Sequence, residues 1–429
     1  MHDEIFKTLE ARWHELYDQY EVVKAALPPI VRWEWTNRSR YDPRPFYYHR
    51  YHLPRGRIIK SPPEHDRPWK YYYEHGFDNV GRVIVERWYI GDKNLGETFY
   101  SYMLDKTEIT TYSQHQGRYL LSSISHCTLD GNLMQNCASL TVTYYSIDPT
   151  LPYPMIGQVA PYRGQGVETA TAEEIWTQLL QQEHAVGWGY EEYRYEARRL
   201  THIQDYSRHS LGSEYLIVYD TAGNLQKITR SGQSYEDNLL YRKREAGETR
   251  AVLAERMITK LVEAIPQIVA AAKFTEPLYC LSLNYYSDII YSFPPRLLPN
   301  FESDRQKTIH DHPPAHLRSG LLWVTIWDDE AHPDIPDPPL PITDPEVLEA
   351  CENFNADMRR GRDYGFMVRT LREVARELNK LDWSQYAPVT SDFIVFDCDD
   401  TEHTRPAVSL RYSGATKAQI ADWRKRGLL

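Results

Sequence analysis

The chain has 429 residues, 41% hydrophobic and 25% charged, with a net charge of −11. This is the composition of a folded chain with room for two or three domains, and the negative balance argues against generic binding along nucleic-acid backbones. Five scattered cysteines without a Cys-x-x-Cys argue against a disulfide framework.

No apolar run reaches the ~18 residues of a membrane span, and the acidic start Met1-His2-Asp3-Glu4 is unlike a signal peptide. A cytoplasmic protein is expected. Residues 4–26 then read as a helix. Phe6, Leu9, Trp13, Leu16, Tyr20 and Val23 form one apolar seam, and Pro28-Pro29 stops it.

Residues 32–60 carry Arg32, Arg38, Arg40, Arg44, Arg50, Arg55, Arg57 and Lys60 against Glu34 and Asp42, a net +6. Trp33, Trp35, Tyr41, Phe46, Tyr47, Tyr48 and Tyr51 are interleaved with them. Three readings fit: a stacking surface for single strands, a hot spot for a protein partner, or a half-buried strand pair with arginines over aromatic faces. At least half of Arg38, Arg40, Arg44, Arg50, Arg55 and Arg57 should reach solvent, since unpaired buried cations are costly, while Trp33, Trp35 and Tyr48 should be covered.

Residues 70–147 read as antiparallel strands, with turns at Asp78–Gly81, Gly91–Asp92 and Asp130–Asn132. A Pro- and Gly-rich loop leads to Thr171-Ala172-Glu173-Glu174, a capping box. A second β region spans about 189–231. A helix over 249–273 has Leu253, Met257, Leu261 and Ile265 at spacing four, and a strand follows from Leu278 until Pro294-Pro295.

Residues 328–346 hold seven acidic residues, six prolines and no Lys or Arg, as a linker would. Thr343-Asp344-Pro345-Glu346 opens a helix lined by Val347, Cys351, Phe354 and Met358. A break at Gly361–Gly365 precedes another with Met367, Leu371, Val374 and Leu378. A strand over 392–398, an acidic turn, a strand over 406–412 and a short basic helix close the chain.

One motif occurs twice: Phe77-Asp78-Asn79-Val80-Gly81-Arg82-Val83 and Tyr219-Asp220-Thr221-Ala222-Gly223-Asn224-Leu225. Asp caps a turn, Gly supplies positive φ, and the aromatic and aliphatic residues face each other across a hairpin. The predicted fold class is α+β: antiparallel meanders with packed amphipathic helices and a duplicated unit. The expected domains are 1–166, 167–327 and 328–429.

Three clusters invite chemistry. Phe393-Ile394-Val395-Phe396-Asp397-Cys398-Asp399-Asp400-Thr401 resembles the first motif of the haloacid-dehalogenase phosphatases, which implies a nucleophilic and a general-acid Asp. The family's other catalytic parts lie downstream, where 28 residues remain, so an acidic turn is the stronger expectation. His310, His312 and His316 fall within seven residues, a spacing that can hold Zn²⁺, but two prolines favour a solvated loop. His126-Cys127 and His184 would make a dyad only if the fold joined them.

The turn motif resembles the Tyr-Asp repeats of Rhs and teneurin-type proteins. The wider layout is similar to bacterial immunity-type proteins of polymorphic toxin systems, on Tyr73–Tyr89, Glu97–Tyr102 and Ala375–Asp397. This resemblance implies a non-enzymatic protein-binding module, an inhibitor of a bacterial toxin. An acidic chain suits a basic partner. The residues assigned to the partner are Arg38, Arg40, Tyr47, Arg50, Arg55, Asp397, Asp399 and Asp400. No catalytic residue, metal or cofactor is expected. The rival readings are a nucleic-acid-binding protein using 32–60 and a metal-dependent hydrolase built on His310 or Asp397.

Overall fold

The computed structural model describes residues 2–51, 53, 55–60, 71–115, 117–143, 171–181, 185–207, 212–231, 239–285, 293–311, 340–361, 364–399 and 406–429. The chain divides into two compact units, Met1–Leu240 and Tyr241–Leu429.

The first unit opens with helices α1 (His2–Leu16) and α2 (Tyr20–Ala25). The predicted single helix is broken because the sheet takes its carbonyls. Tyr112 Oη donates to Leu16 O at 2.8 Å, and Leu121 N donates to Tyr17 O at 3.1 Å. Strand β1 (Arg32–Thr36), the one-turn α3 (Tyr47–Arg50) and β2 (Ile58–Ile59) follow. A meander then runs through β3 (Tyr71–Phe77), β4 (Val83–Ile90), β5 (Lys93–Tyr102), β6 (Lys106–His115), β7 (Arg118–Asp130) and β8 (Leu133–Val142). After α4 (Ala172–Leu180), with its capping box formed, come β9 (Val186–Glu196), β10 (Arg199–Ser207), β11 (Glu214–Tyr219), β12 (Leu225–Ser231) and β13 (Leu239–Arg242).

These strands form one thirteen-stranded antiparallel sheet. Its order is β13 back to β3, then β1 and β2. Strands β8 and β9 are paired neighbours, so the expected boundary at 166/167 falls inside one sheet. The compact units change at 240/241 instead. One face of the sheet packs its apolar residues, Val85, Phe99, Leu140 and Trp188 among them, against Leu9 and Trp13 of α1 and Trp176 of α4.

Both motif copies are hairpins of this sheet, β3–β4 and β11–β12. Gly81 has φ 85° and Gly223 φ 81°. Each Asp Oδ1 accepts from the backbone N four residues on, Arg82 or Asn224, at 2.8 Å. Phe77 pairs with Val83, and Tyr219 with Leu225. The two copies share topology in part: each hairpin continues into a third neighbouring strand, β5 after the first copy and β13 after the second. Strands β3–β6 are consecutive neighbours, whereas residues 212–300 pass from this sheet through a helix into another.

In the second unit, α5 (Arg250–Ala272) buries all four residues of its predicted stripe. It leads to β14 (Leu278–Tyr285), β15 (Arg296–Phe301), α6 (Glu302–Asp311), α7 (Pro345–Gly361), α8 (Tyr364–Leu378), β16 (Val389–Asp399), α9 (Pro406–Tyr412) and α10 (Lys417–Lys425). Strand β14 lies between antiparallel β15 and parallel β16. It is buried along its whole length, because α5, α7 and α8 cover one face and α6, α9 and α10 the other.

Two expectations change here, and a third falls mostly outside the described residues. Residues 406–412 are helical, not a strand: Pro406 takes the first helical position, and Ser409 and Leu410 are buried. Asp344, rather than Thr343, caps α7, accepting from Glu346 N at 2.8 Å. Most of the acidic linker, 328–339, lies outside the described residues. Its end is anchored, since Leu340 bridges to Leu297.

Candidate functional site

The second face of the large sheet is polar and aromatic, and residues 37–57 lie across it. Period-two alternation puts Cys127, Cys137, Glu191 and Asp205 in one cross-strand row. Arg50, 2% exposed, reaches this row. Its Nη1 and Nη2 donate to the two Glu191 oxygens at 3.0 and 2.9 Å. Tyr51 and Tyr193 also donate to Glu191. Burial opposes the Glu191 charge, but Arg50 outweighs it and holds the carboxyl below its ordinary range. At Asp205 burial, reinforced by the Glu191 charge, outweighs the Arg50 charge and pushes the pKa up to about 6.

Closer to β1, Thr36, His75 and Glu86 line up. Thr36 Oγ1 is 2.8 Å from His75 Nε2, and His75 Nδ1 is 3.1 Å from Glu86 Oε2. The spacing is that of a hydroxyl–imidazole–carboxylate triad. The protons run the wrong way for one. Thr36 gives its proton to Arg38 O at 2.6 Å, so the imidazole donates to the hydroxyl instead of accepting from it. Thr36 and His75 are also fully buried, so no substrate meets this hydroxyl. The group pins the covering segment, helped by Ser39, which donates to Glu86 at 3.2 Å.

The outer rim of that segment is a ladder. Gly56 N donates to Ser39 O at 3.0 Å, and Asn37 N to Arg57 O at 3.1 Å. Arg57 N donates to Asn37 Oδ1 at 2.7 Å. Arg40 donates to Gly56 O at 2.7 Å, and Arg55 to Arg40 O at 3.0 Å. Glycine is required at 56: a Cβ there would sit 2.0 Å from the Arg38 carbonyl oxygen. The ladder leaves Arg38, Arg55 and Arg57 exposed, beside Ile58 at 55% exposure.

The residues assigned to a partner therefore separate. Arg38 and Arg55 are on the surface, while Arg40 and Tyr47 are half-buried. Arg50 is corrected to an interior residue, because Glu191 draws it in. Arginines do lie over aromatic faces: Arg44 over Tyr47 at 4.2 Å and Arg50 over Tyr215 at 5.2 Å. Trp33, Trp35 and Tyr48 are each half-buried.

Asp397 and Asp399 belong to the second unit, and Asp400 lies outside the described residues. Asp397 is 1% exposed. It accepts from Arg372 of α8 at 3.1 Å, from Ser413 at 3.1 Å and from Ser409 of α9 at 3.3 Å. Burial exceeds these bonds and raises its pKa. Asp399 is also buried. A surface contact with a partner is therefore not a role for either carboxylate in this structure.

Of the histidines, His310 lies in the last turn of α6 and is exposed, while His184, His312 and His316 lie outside the described residues. His126 bonds Glu108 at 2.8 Å, and its neighbour Cys127 pairs with Cys137; adjacent strand residues point to opposite faces. Among the described residues no cluster of His, Cys, Asp and Glu is arranged to hold a metal, and no helix is long and apolar enough to cross a membrane. No family model matches the chain, and no curated protein matches it significantly.

Proposed function

We propose that the chain is a non-enzymatic protein-binding module, an immunity-like inhibitor of a bacterial toxin working in the cytoplasm, and that it docks through the arginine ladder at the β1–β2 edge. The observation that carries this reading is the display of Arg38, Arg55 and Arg57 on a backbone pinned at Gly56, next to exposed Ile58. Pre-organised cations beside an apolar side chain suit a carboxylate-bearing protein surface, because little ordering is left to the moment of binding. The polar groups that resemble catalytic sets support the same reading. Thr36–His75–Glu86 and Asp397 are closed in among their own partners.

The test is coexpression with the product of the adjacent gene, scored by growth and by titration calorimetry of the purified pair. Growth rescue and binding, both lost in an Arg38→Glu/Arg55→Glu/Arg57→Glu variant that still folds, are the expected result. Neither rescue nor binding would overturn it. Micromolar binding of a labelled single-stranded oligonucleotide, weakening steeply with salt and lost in the same variant, would replace it with the nucleic-acid reading.

A further inference from the structure

Strands β7 and β8 meet at the two-residue turn Gly131-Asn132, and Gly131 takes φ 59° there. A one-residue bulge at Gln135 then shifts the turn's register and sets Cys127 directly opposite Cys137. Both side chains are buried on the polar face, and their sulfurs are 2.7 Å apart. Directly opposed residues of an antiparallel pair have Cα atoms ~4.5–5.5 Å apart, inside the range a disulfide spans. Cys280, Cys351 and Cys398 belong to the second unit and are buried in its cores. Two of the five cysteines are thus placed together by a local hairpin.

We infer that Cys127 and Cys137 are a redox modification site, converting between a dithiol and a cross-strand disulfide without a change of strand register. The oxidant is a small disulfide of the glutathione class. One cysteine, as thiolate, attacks the oxidised glutathione, forming a mixed disulfide and releasing one glutathione thiolate. The second cysteine, as thiolate, attacks the mixed disulfide and expels the other. The two protons lost by the cysteines end, through solvent, on the two released glutathione thiolates; the cysteines are oxidised by two electrons, and one glutathione disulfide becomes two thiols. Burial sets the kinetics. The thiols sit inside a sheet flanked by β6 and β9, so exchange occurs as the hairpin folds or opens, and a finished bridge resists reduction. Hydrogen bonding between the thiols and burial both raise the Cys137 pKa, which matches a pair that is unreactive while closed.

The test uses the full chain, produced once in a reducing host and once in an oxidising one. The reduced sample is also held for days in oxidised glutathione with mild urea. Each sample is acid-quenched, denatured, alkylated and mapped by mass spectrometry. The expected result after oxidation is alkylation at Cys280, Cys351 and Cys398 alone, with a linked 127–137 peptide that dithiothreitol releases. The thermal midpoint should rise by roughly 5 °C, and Cys137→Ser should show neither the link nor the rise. Five alkylated cysteines in every sample, a different linked pair, or a linked form that melts lower would overturn the inference.

Discussion

Residues 37–57 of the first unit and the end of β16 in the second solve the same problem differently. Both bring charged side chains to a sheet. In the first, Arg50 crosses to Glu191, 141 positions away, in a bidentate pair, while Arg38, Arg55 and Arg57 are left at the rim. In the second, Asp397 is wholly inside, and its partners are one arginine and two hydroxyls. The difference shows in the acidity. Arg50 outweighs burial at Glu191 and lowers its pKa, whereas burial outweighs Arg372 at Asp397 and its pKa rises. A buried carboxylate is thus either half of an ion pair or a group on the way to neutrality, and burial alone does not say which.

The largest loss is expected for Glu191→Ala. It strands the Arg50 guanidinium in a covered site, and losing one partner of a buried pair costs about 3–5 kcal/mol. Equilibrium urea unfolding of the first unit's transition should show that loss. Removing both charges, as in Arg50→Met/Glu191→Leu, should recover much of it. A loss under ~1 kcal/mol for the single variant would mean that the pair behaves like a surface ion pair.

Gly56→Ala comes next. The new methyl meets a backbone carbonyl rather than a movable side chain, so the ladder must open. The expected cost is roughly 2 kcal/mol. Faster amide exchange at Gly56 and Arg57 would locate the opening, and unchanged exchange there would show that the close approach is not needed.

These effects bear on what could be read beforehand. The turns at Gly81 and Gly223, the α4 capping box and the stripe of α5 are local patterns, and periodicity or spacing exposes them. What was missed depends on distant chain. Nothing near Arg50 announces Glu191, and nothing near Ser39 announces that Gly56 will lie against it. The α1–α2 break follows from carbonyls claimed by the sheet, not from any helix-breaking residue. Residues 406–412 alternate apolar and polar types as a strand would, but the Pro406 start and the placement of Ser409 and Ser413 toward Asp397 come from the packed helix.

A smaller effect separates Asp205 from Glu191 in the same row. The Asp205 pKa is about 6 in the folded chain against an ordinary 3.8. The folded state therefore binds more protons than the unfolded state between those values, and stability falls as pH rises through that window. Asp205→Asn should then stabilise the protein by about 1–3 kcal/mol at pH 7.5, and the gain should vanish below pH 4. Thermal melts across pH 3.5–8 measure it. A gain that persists at pH 3.5 would trace to packing instead of charge.

The smallest expected change is Asp397→Asn, and it tests how far burial weakens the charge of this carboxylate. The amide keeps an oxygen for Arg372 and offers N–H groups to the Ser409 and Ser413 oxygens, whose hydroxyls can turn to accept. Since the Asp397 pKa is already raised, wild-type stability should decline as pH climbs from the ordinary carboxylate value through the folded one, and the Asn variant should lack that decline. At pH 7 the two should agree within about 1 kcal/mol. Asp397→Ala is the contrasting variant: it leaves two buried hydroxyls and a guanidinium short of an acceptor and should cost clearly more. A loss near 3 kcal/mol for Asn itself would mean that the Arg372–Asp397 pair contributes at full buried-pair strength. The end of β16 would then be a second buried ion pair of the Arg50–Glu191 kind, and the contrast between the two regions would disappear.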